Sequence, residues 1–156
     1  MTSLVKINPE NYHLYLEQIL EIEILSFSSP WSRYAFLEEI NNPISYLWGV
    51  KEGKVLSGNL CFWMFDREIQ LINLAVHPEK RNKGFGHYLL TKMIEECISK
   101  GVPNIWLEVR RSNLTAKRLY EKQGFEAVGC RPRYYKDSNE DAIIMAMTIT
   151  EMKLAV

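Results

Sequence analysis

The feature that most constrains the fold is a glycine-containing turn, Arg81 to Gly86, which lies between an apolar run and a helical pattern. Leu71 to Val76 is typical of a buried strand, and the helical pattern begins near Phe85. Backbone N–H groups at the start of a helix lack intrahelical acceptors, so a phosphate can accept hydrogen bonds from them. Glycine also lets a ligand approach the main chain closely. The turn is a candidate anion site, although the same residues suit a tight turn that binds nothing.

Two common phosphate motifs do not match this turn. A P-loop requires Gly-Lys followed by Ser or Thr, and the chain has no such tripeptide. The dinucleotide fingerprint requires a third glycine at the position that Leu89 occupies. What remains is a turn able to hold a diphosphate that belongs to another kind of ligand, beside the alternative of a tight turn that binds nothing.

The composition predicts a single domain that spans residues 1–156. The chain is 47% hydrophobic and 24% charged, which is typical of a globular protein with a sizeable core. Lys plus Arg equals Asp plus Glu at 19 each, so no net field attracts nucleic acid or an anionic membrane, and we expect neither as a partner. Residues Met1 to Leu4 show no signal-like pattern, so we expect a cytoplasmic protein.

The order of periodic patterns predicts an α/β chain, or α+β by stricter naming. Strands are predicted at Leu4 to Ile7, Tyr46 to Lys51, Lys54 to Phe65, Glu68 to Val76, Asn104 to Val109, Phe125 to Arg131 and Ala142 to Thr150. Helices are predicted at Pro9 to Ser26, Ser32 to Asn41, Gly84 to Ser99 and Asn113 to Gln123. The third helix makes a central βαβ unit with parallel strands, inside a mixed and mostly antiparallel sheet of about seven strands flanked by helices. Because ligands bind beyond the carboxyl ends of parallel strands, the turn after Val76 and the residues after Val109 should share one crevice.

The predicted crevice makes Glu108 and Asn113 candidates for function. Glu108 lies in an apolar strand, where a carboxylate is costly unless it faces a wet or functional cavity. A structural ion pair with a neighbouring arginine explains its position equally well. Tyr120 lies on the following helix, where an aromatic side chain usually belongs to the core unless its hydroxyl reaches the crevice. The arginines considered as partners of Glu108 are Arg110, Arg111 and Arg118.

The cysteine and histidine patterns predict neither a disulfide framework nor a metal site. Cys61, Cys97 and Cys130 are odd in number and lack a C-x-x-C spacing, so we expect them to be small core residues. His77 and His87 have no partners at metal-ligand spacing. The motifs H-E-x-x-H and G-x-S-x-G are absent from the sequence, which gives no support to a metallohydrolase or a serine hydrolase.

In combination, these patterns resemble the GCN5-related N-acetyltransferases (GNAT) over nearly the whole chain. The shared order is strand, R-x-x-G-x-G, helix, strand, an Asn-bearing turn, and a helix with Leu-Tyr-x-x-x-Gly-Phe. Within that family, several segments are similar to the RimI-type bacterial enzymes, which acetylate the N-terminal alanine of a small-subunit ribosomal protein. These segments are Phe27, Pro30-Trp31-Ser32, Trp106 to Arg110, Ser112-Asn113, Leu119 to Glu121, Arg133 to Tyr135 and Glu140 to Met145.

The resemblance implies an acetyl-CoA-dependent N-acetyltransferase that releases CoA. Glu108 would be the general base, and Tyr120 would protonate the departing thiolate. No protein nucleophile is needed, because the acceptor amine attacks the thioester directly. The implied cofactor-binding residues are Leu74, Ala75, Val76, Arg81, Asn82, Lys83, Gly84, Phe85, Gly86, Asn113 and Tyr120. The implied substrate-binding residues are Phe27, Trp31, Glu108, Arg133, Tyr134 and Tyr135.

Reference pKa values favour an α-amine as the acceptor. At pH 7 about one α-amine in ten is neutral, but only about one lysine in 2,500. The predicted acceptor is a protein N-terminus, with a ribosomal protein as the implied partner, and the predicted state is a monomer or weak dimer. Two alternatives stay open. The chain could acetylate a small-molecule or lysine amine, or it could be a non-catalytic acyl-CoA-binding module.

Overall fold

The computed structural model describes residues 1–149, so Thr150, the predicted end of the last strand, lies outside the described residues. The strands are β1 (Thr2–Ile7), β2 (Ser45–Glu52), β3 (Val55–Phe65), β4 (Glu68–Val76), β5 (Asn104–Arg110), β6 (Glu126–Tyr135) and β7 (Glu140–Thr148). The helices are α1 (Leu16–Ser26), α2 (Arg33–Ile40), α3 (Phe85–Ser99) and α4 (Leu114–Gln123). Within residues 1–149, no helix combines the length and apolar character that crossing a membrane requires.

The strands form a mixed sheet in the order β1-β2-β3-β4-β5-β7-β6. The pairs β1 with β2 and β2 with β3 are antiparallel, whereas β4 pairs parallel with β5 in the register Ile69↔Ile105 and Leu71↔Leu107. β7 pairs antiparallel with both β5 and β6. The parallel pair joined through α3 confirms the predicted βαβ unit, and the other pairings confirm the mostly antiparallel mixed sheet.

Side-chain caps explain where two of the helices begin. The Ser32 side chain accepts a hydrogen bond of 3.1 Å from the backbone N–H of Ala35 at the start of α2. Asn113 does the same for Ala116 at 3.2 Å at the start of α4. Gly124 ends α4 with φ at 108°, a left-handed conformation that glycine adopts without strain. The predicted bounds of these two helices are therefore close to the observed ones.

The first helix begins later than predicted. The sequence predicted a helix from Pro9, but α1 begins only at Leu16. The Asn8 side chain caps a turn instead, because its Oδ1 accepts hydrogen bonds from the backbone N–H groups of Glu10 and Asn11 at 2.9 and 3.0 Å. Such local bonds from an Asn side chain compete with the helical hydrogen-bond ladder.

The sixth strand extends further than predicted. The residues after Arg131 were expected to form a loop, but β6 continues to Tyr135. The pairing of β6 with β7 changes register between Arg131 and Tyr135, and Arg133 has a positive φ of 51°. Pro132 has no N–H to donate, so an irregular ladder at this position is the physical consequence.

The chain forms two compact units, Met1–Met64 with Ile72–Leu89 and Phe65–Leu71 with the residues from Leu90 onward. The chain therefore changes unit at the end of β3, within β4 and again within α3. A single domain over residues 1–156 stays a prediction. The core of the first unit contains the buried residues Ile7, Tyr15, Leu16, Ile19, Ile22, Phe36, Ile40, Leu47, Leu56, Cys61 and Ala75. Buried residues of the second unit include Leu71, Leu90, Met93, Ile105, Leu107, Phe125 and Met145.

Candidate active site

The predicted site residues fall into two groups, one in each unit. The first unit contains Phe27, Trp31, Leu74, Ala75, Val76 and the turn from Arg81 to Gly86. The second unit contains Glu108, Asn113, Tyr120, Arg133, Tyr134 and Tyr135. The single crevice expected to contain both groups stays a prediction.

The turn between β4 and α3 has the backbone shape of an anion-binding loop. Asn82 and Gly84 have positive φ values of 63° and 87°. A Cβ added at Gly84 would meet no atom within 4 Å, so the main chain is accessible there. Left-handed residues in a turn direct successive N–H groups into a concave anion site, and α3 adds its N-terminus from Phe85. These residues fit the predicted diphosphate.

Arg81 connects the turn to the ends of two other elements. Its Nε donates a hydrogen bond of 3.0 Å to the carbonyl oxygen of Val76 at the end of β4. Its Nη2 donates one of 3.2 Å to the Oγ of Ser26 at the end of α1. The guanidinium therefore fixes the turn in position while its positive charge remains beside the turn.

Glu23 on α1 is a candidate that the sequence interpretation missed. It is only 2% exposed, and it accepts hydrogen bonds of 2.9 Å from the backbone N–H of Trp31 and 2.8 Å from the side-chain amide of Asn73. Burial raises the pKa of its carboxyl, and the two hydrogen bonds oppose that rise. One buried carboxylate thus joins α1, the predicted peptide-binding segment and β4. The sequence signal was an acid between two apolar residues, Ile22 and Ile24, in a helix.

Glu108 on β5 is held by two side chains from β6. Its Oε2 forms an ion pair of 2.9 Å with the Nε of Arg131, and its side chain is 13% exposed. The Tyr134 hydroxyl donates a long hydrogen bond of 3.5 Å to Oε1. An ion pair of Glu108 was considered from the sequence, but the arginine beside it is Arg131 and none of the predicted ones. The predicted partners were close in sequence, whereas the sheet brings β6 close in space.

Two of those predicted partners bind other carboxylates. Arg110 donates hydrogen bonds of 2.9 and 2.8 Å to Asp137, and its guanidinium lies 4.0 Å from the ring centre of Tyr135. Arg111 donates one of 3.1 Å to Asp141. Both arginines therefore anchor the hairpin of β6 and β7, which contains part of the predicted substrate-binding set.

Tyr120 and Tyr135 are tyrosines of the second unit whose hydroxyls have raised pKa values. Tyr120 is 7% exposed and lies against Phe125, with 5.8 Å between ring centres. Burial raises the pKa of its hydroxyl, and Tyr135 adds to the rise. Burial raises the pKa of Tyr135 to about 12, against the opposing effect of Arg110 and with a further rise from Glu108. Both hydroxyls therefore keep their protons at neutral pH, as a general acid requires.

The remaining candidates occupy structural positions. Asn113 caps α4, and its predicted contact with the cofactor stays a prediction. Cys61 and Cys97 are buried, and burial raises the pKa of their thiols to about 12 and about 11. Cys130 is exposed, so its prediction as a core residue was wrong; it lies on β6, where most residues face solvent.

Comparison with solved structures defines the class of protein. The crystal structure of the ribosomal-protein-S18-alanine N-acetyltransferase from Escherichia coli matches with a TM-score of 0.86 and 31% identity, over 96% of this chain and 95% of that chain. Ard1 from Thermoplasma volcanium has the same TM-score of 0.86 at 22% identity, over 96% and 99% of the two chains, and this likeness shows the fold alone. The predicted acetyltransferase fold is confirmed.

Sequence comparison identifies the family. The profile of the Acetyltransferase (GNAT) family matches residues 16–125. A protein of Escherichia coli (strain K12), "[Ribosomal protein bS18]-alanine N-acetyltransferase", is 37% identical over 131 residues, which are 83% of this chain and 88% of that protein. The protein of the same name from Haemophilus ducreyi is 33% identical over 133 residues, 83% and 91% of the two chains. The chain belongs to the Acetyltransferase (GNAT) family, and it is an N-acetyltransferase that uses acetyl-CoA.

Proposed function

We propose that this enzyme acetylates the N-terminal alanine of a ribosomal protein. The observation that carries the proposal is the match, over 83% of this chain, to a protein named for acetylation of alanine in ribosomal protein bS18. The second unit supports it, because it contains a carboxylate and a buried tyrosine. Glu108 suits the base and Tyr120 suits the acid in amine acetylation. An acceptor of this kind implies that the enzyme works in the cytoplasm, and a monomer or weak dimer stays the predicted state.

In this proposal, Glu108 and Tyr120 move the protons of the reaction. Acetyl-CoA supplies a thioester when bound. Glu108 would take the proton of the amine on its carboxylate, directly or through water, as the N–C bond to the acceptor forms and the C–S bond breaks. Tyr120 donates its proton to the departing thiolate. The Tyr120 hydroxyl is protonated at neutral pH, as a general acid must be, although burial raises its pKa and so makes release of the proton harder.

The other predicted residues would bind and orient the two substrates. The turn from Arg81 to Gly86 would hold the diphosphate through its backbone N–H groups, and Leu74 to Val76 would bind the pantetheine arm. Phe85 would contribute its backbone, because its side chain is 8% exposed. The residues proposed to contact the acceptor peptide are the aromatic and basic side chains Phe27, Trp31, Arg133, Tyr134 and Tyr135.

The test is acetylation of a peptide panel by wild-type protein and by the variants Glu108→Gln and Tyr120→Phe. We expect fast turnover of a peptide that begins with alanine, and a fall in kcat of about 10²- to 10⁴-fold in each variant. Acetyl-CoA binding, measured by calorimetry, should change little in Glu108→Gln. Glu126→Gln, an exposed acid at the start of β6, is the matched control and should retain full activity.

Three outcomes would contradict the proposal in different ways. Unchanged turnover in both variants would remove the assigned acid and base. Much faster turnover of polyamines or free amino acids would favour a small-molecule acetyltransferase. Binding of acetyl-CoA without acetylation of any peptide in the panel would favour a non-catalytic acyl-CoA-binding module.

A further inference from the structure

The carboxylate assigned as the base already holds a cation. Oε2 of Glu108 lies 2.9 Å from the guanidinium of Arg131. Within residues 1–149, this oxygen is buried and has no hydrogen-bond partner. The ion pair with Arg131 is therefore the polar interaction that this oxygen makes. The Arg131 side chain is 52% exposed, and it can therefore meet an incoming molecule. The cation is therefore more exposed than the carboxylate, whose side chain is 13% exposed.

The surroundings of Glu108 keep this arginine in position. The guanidinium of Arg131 lies 5.8 Å from the ring centre of Tyr134, whose hydroxyl contacts the other carboxylate oxygen at 3.5 Å. Tyr135 interacts electrostatically with Glu108 and also with Arg110. Arg110 binds Asp137 and lies 3.7 Å from Glu140, so Arg110 forms the ion pairs of these two acids. Arg131 is thus the cation of this hairpin that forms an ion pair with Glu108.

The charge on Arg131 cannot be removed by a proton transfer. A guanidinium remains protonated at every pH at which a protein is folded. An acceptor ammonium therefore has to displace Arg131 from Glu108 or remain beside a like charge. A neutral amine meets neither obstacle, because it carries no charge to repel.

We propose that Arg131 is a specificity-determining residue that selects acceptors by the charge of their amine, favouring the α-amine of a protein N-terminus over lysine side chains and polyamines. The inference rests on the proposed function, and it names the residue that determines which class of amine the enzyme accepts. At pH 7 the neutral fraction is about one in ten for an α-amine and about one in 2,500 for lysine. A site that admits the neutral form therefore discriminates between them, whereas a bare carboxylate would attract both ammonium forms.

The experiment measures the ratio of kcat/KM for two acceptors in four proteins. One acceptor is a peptide that begins with a free alanine, and the other is the same peptide blocked at its N-terminus and carrying one lysine. The proteins are wild type, Arg131→Gln, Arg131→Lys and the control Arg33→Gln. Arg33 has a matched environment, since its side chain is 53% exposed and forms an ion pair of 2.6 Å with Glu17.

We expect the ratio to fall about tenfold in Arg131→Gln, a value between those for a solvent-exposed and a partly buried pair of like charges. Arg131→Lys keeps the charge, so it should retain the wild-type ratio within about twofold, as should Arg33→Gln. The pH dependence gives a second readout. In the wild type, kcat/KM for the alanine peptide should rise as the α-amine loses its proton near about pH 8, and this rise should flatten in Arg131→Gln.

Each failure has its own signature. A wild-type enzyme that leaves the alanine peptide unmodified overturns the proposed function, and this inference with it. Wild-type activity with an unchanged ratio in Arg131→Gln overturns the inference alone. So does an equal loss of selectivity in Arg131→Lys and Arg131→Gln, because the contact geometry rather than the charge would then matter. Thermal unfolding of each variant confirms that folded proteins are compared.

Discussion

Among single residues, Glu23 has the largest predicted effect on stability. Truncation to Ala would leave the backbone N–H of Trp31 and the side-chain amide of Asn73 without their acceptor. An unpaired buried donor costs about 1–3 kcal/mol, so we expect Glu23→Ala to lower the free energy of unfolding by about 3 kcal/mol. Urea denaturation measures this change. We also expect a higher KM for the acceptor peptide, because Trp31 loses the bond that positions it.

Glu17 provides the control on the same helix. Its side chain is 74% exposed and forms a surface ion pair with Arg33. Exposed pairs contribute about 0–1 kcal/mol, so Glu17→Ala should change the free energy of unfolding only slightly. A loss in Glu23→Ala no larger than that in Glu17→Ala would show that the buried carboxylate does not hold these elements together.

Among the elements, β3 and β4 lie close together at Gly58. A Cβ at this position would lie 2.8 Å from the carbonyl oxygen of Ala75 and 3.3 Å from the Cα of Val76. We expect Gly58→Ala to shift β4, to cost about 1–3 kcal/mol of stability and to weaken acetyl-CoA binding, which calorimetry measures. Gly129→Ala on β6 is the control, because its Cβ would meet Ile144 at an ordinary 3.5 Å. Equal cofactor affinity in both variants would argue against cofactor binding along β4.

The hairpin of β6 and β7 should respond to acid. The backbone N–H of Arg133 donates a hydrogen bond of 2.9 Å to Asp141, and this bond is the main cause that lowers the pKa of Asp141. Bonds from Ser112 lower the pKa of Glu140 in the same way. A lowered pKa means that the stabilisation is present above the unfolded-state values of about 4 and is lost as the pH falls through the folded-state values.

We therefore expect the amide signal of Arg133 to shift as Asp141 is protonated, and that of Ser112 to shift as Glu140 is protonated. An NMR titration from about pH 6 to about pH 3 measures both shifts. Asp141→Asn separates the two acids, because it should abolish the step at Arg133 and leave the step at Ser112. An Arg133 signal that titrates unchanged in Asp141→Asn would refute the assignment.

For the whole molecule, cofactor binding should appear as thermal stabilisation. CoA at about 100 times its Kd would add about 2.7 kcal/mol, which for a chain of this size raises Tm by roughly 5–10 °C. Gly84→Val should lose this rise, because valine resists the φ of 87° in the turn. Gly101→Val is the control, since Gly101 also has a positive φ, 68°, but follows α3. Both variants should unfold at lower temperature without CoA, and a CoA-dependent rise that survives in Gly84→Val would exclude the turn as the diphosphate site.

The order of the elements, the βαβ unit and the family were predictable from local sequence patterns. Hydrophobic period, capping and turn chemistry act over a few residues, so they can be read directly, as the helix between Asn113 and Gly124 illustrates. The late start of α1 is a local error of the same kind, because the Asn8 side chain can cap a turn or a helix with the same atoms. Glu108 and Tyr120 also lie on the predicted strand and helix, whereas their catalytic roles stay predictions.

Which side chains meet could not be predicted from local patterns. Glu23 and Asn73 lie 50 residues apart and yet share a buried hydrogen bond, and no local pattern indicates such a pair. The partner of Glu108 was predicted among nearby arginines, but the pairing of β7 with both β5 and β6 brings Arg131 to it instead. The physical reason is that a long-range contact depends on strand order and burial, which are set by the packing of the whole chain and not by the preferences of the residues that finally touch.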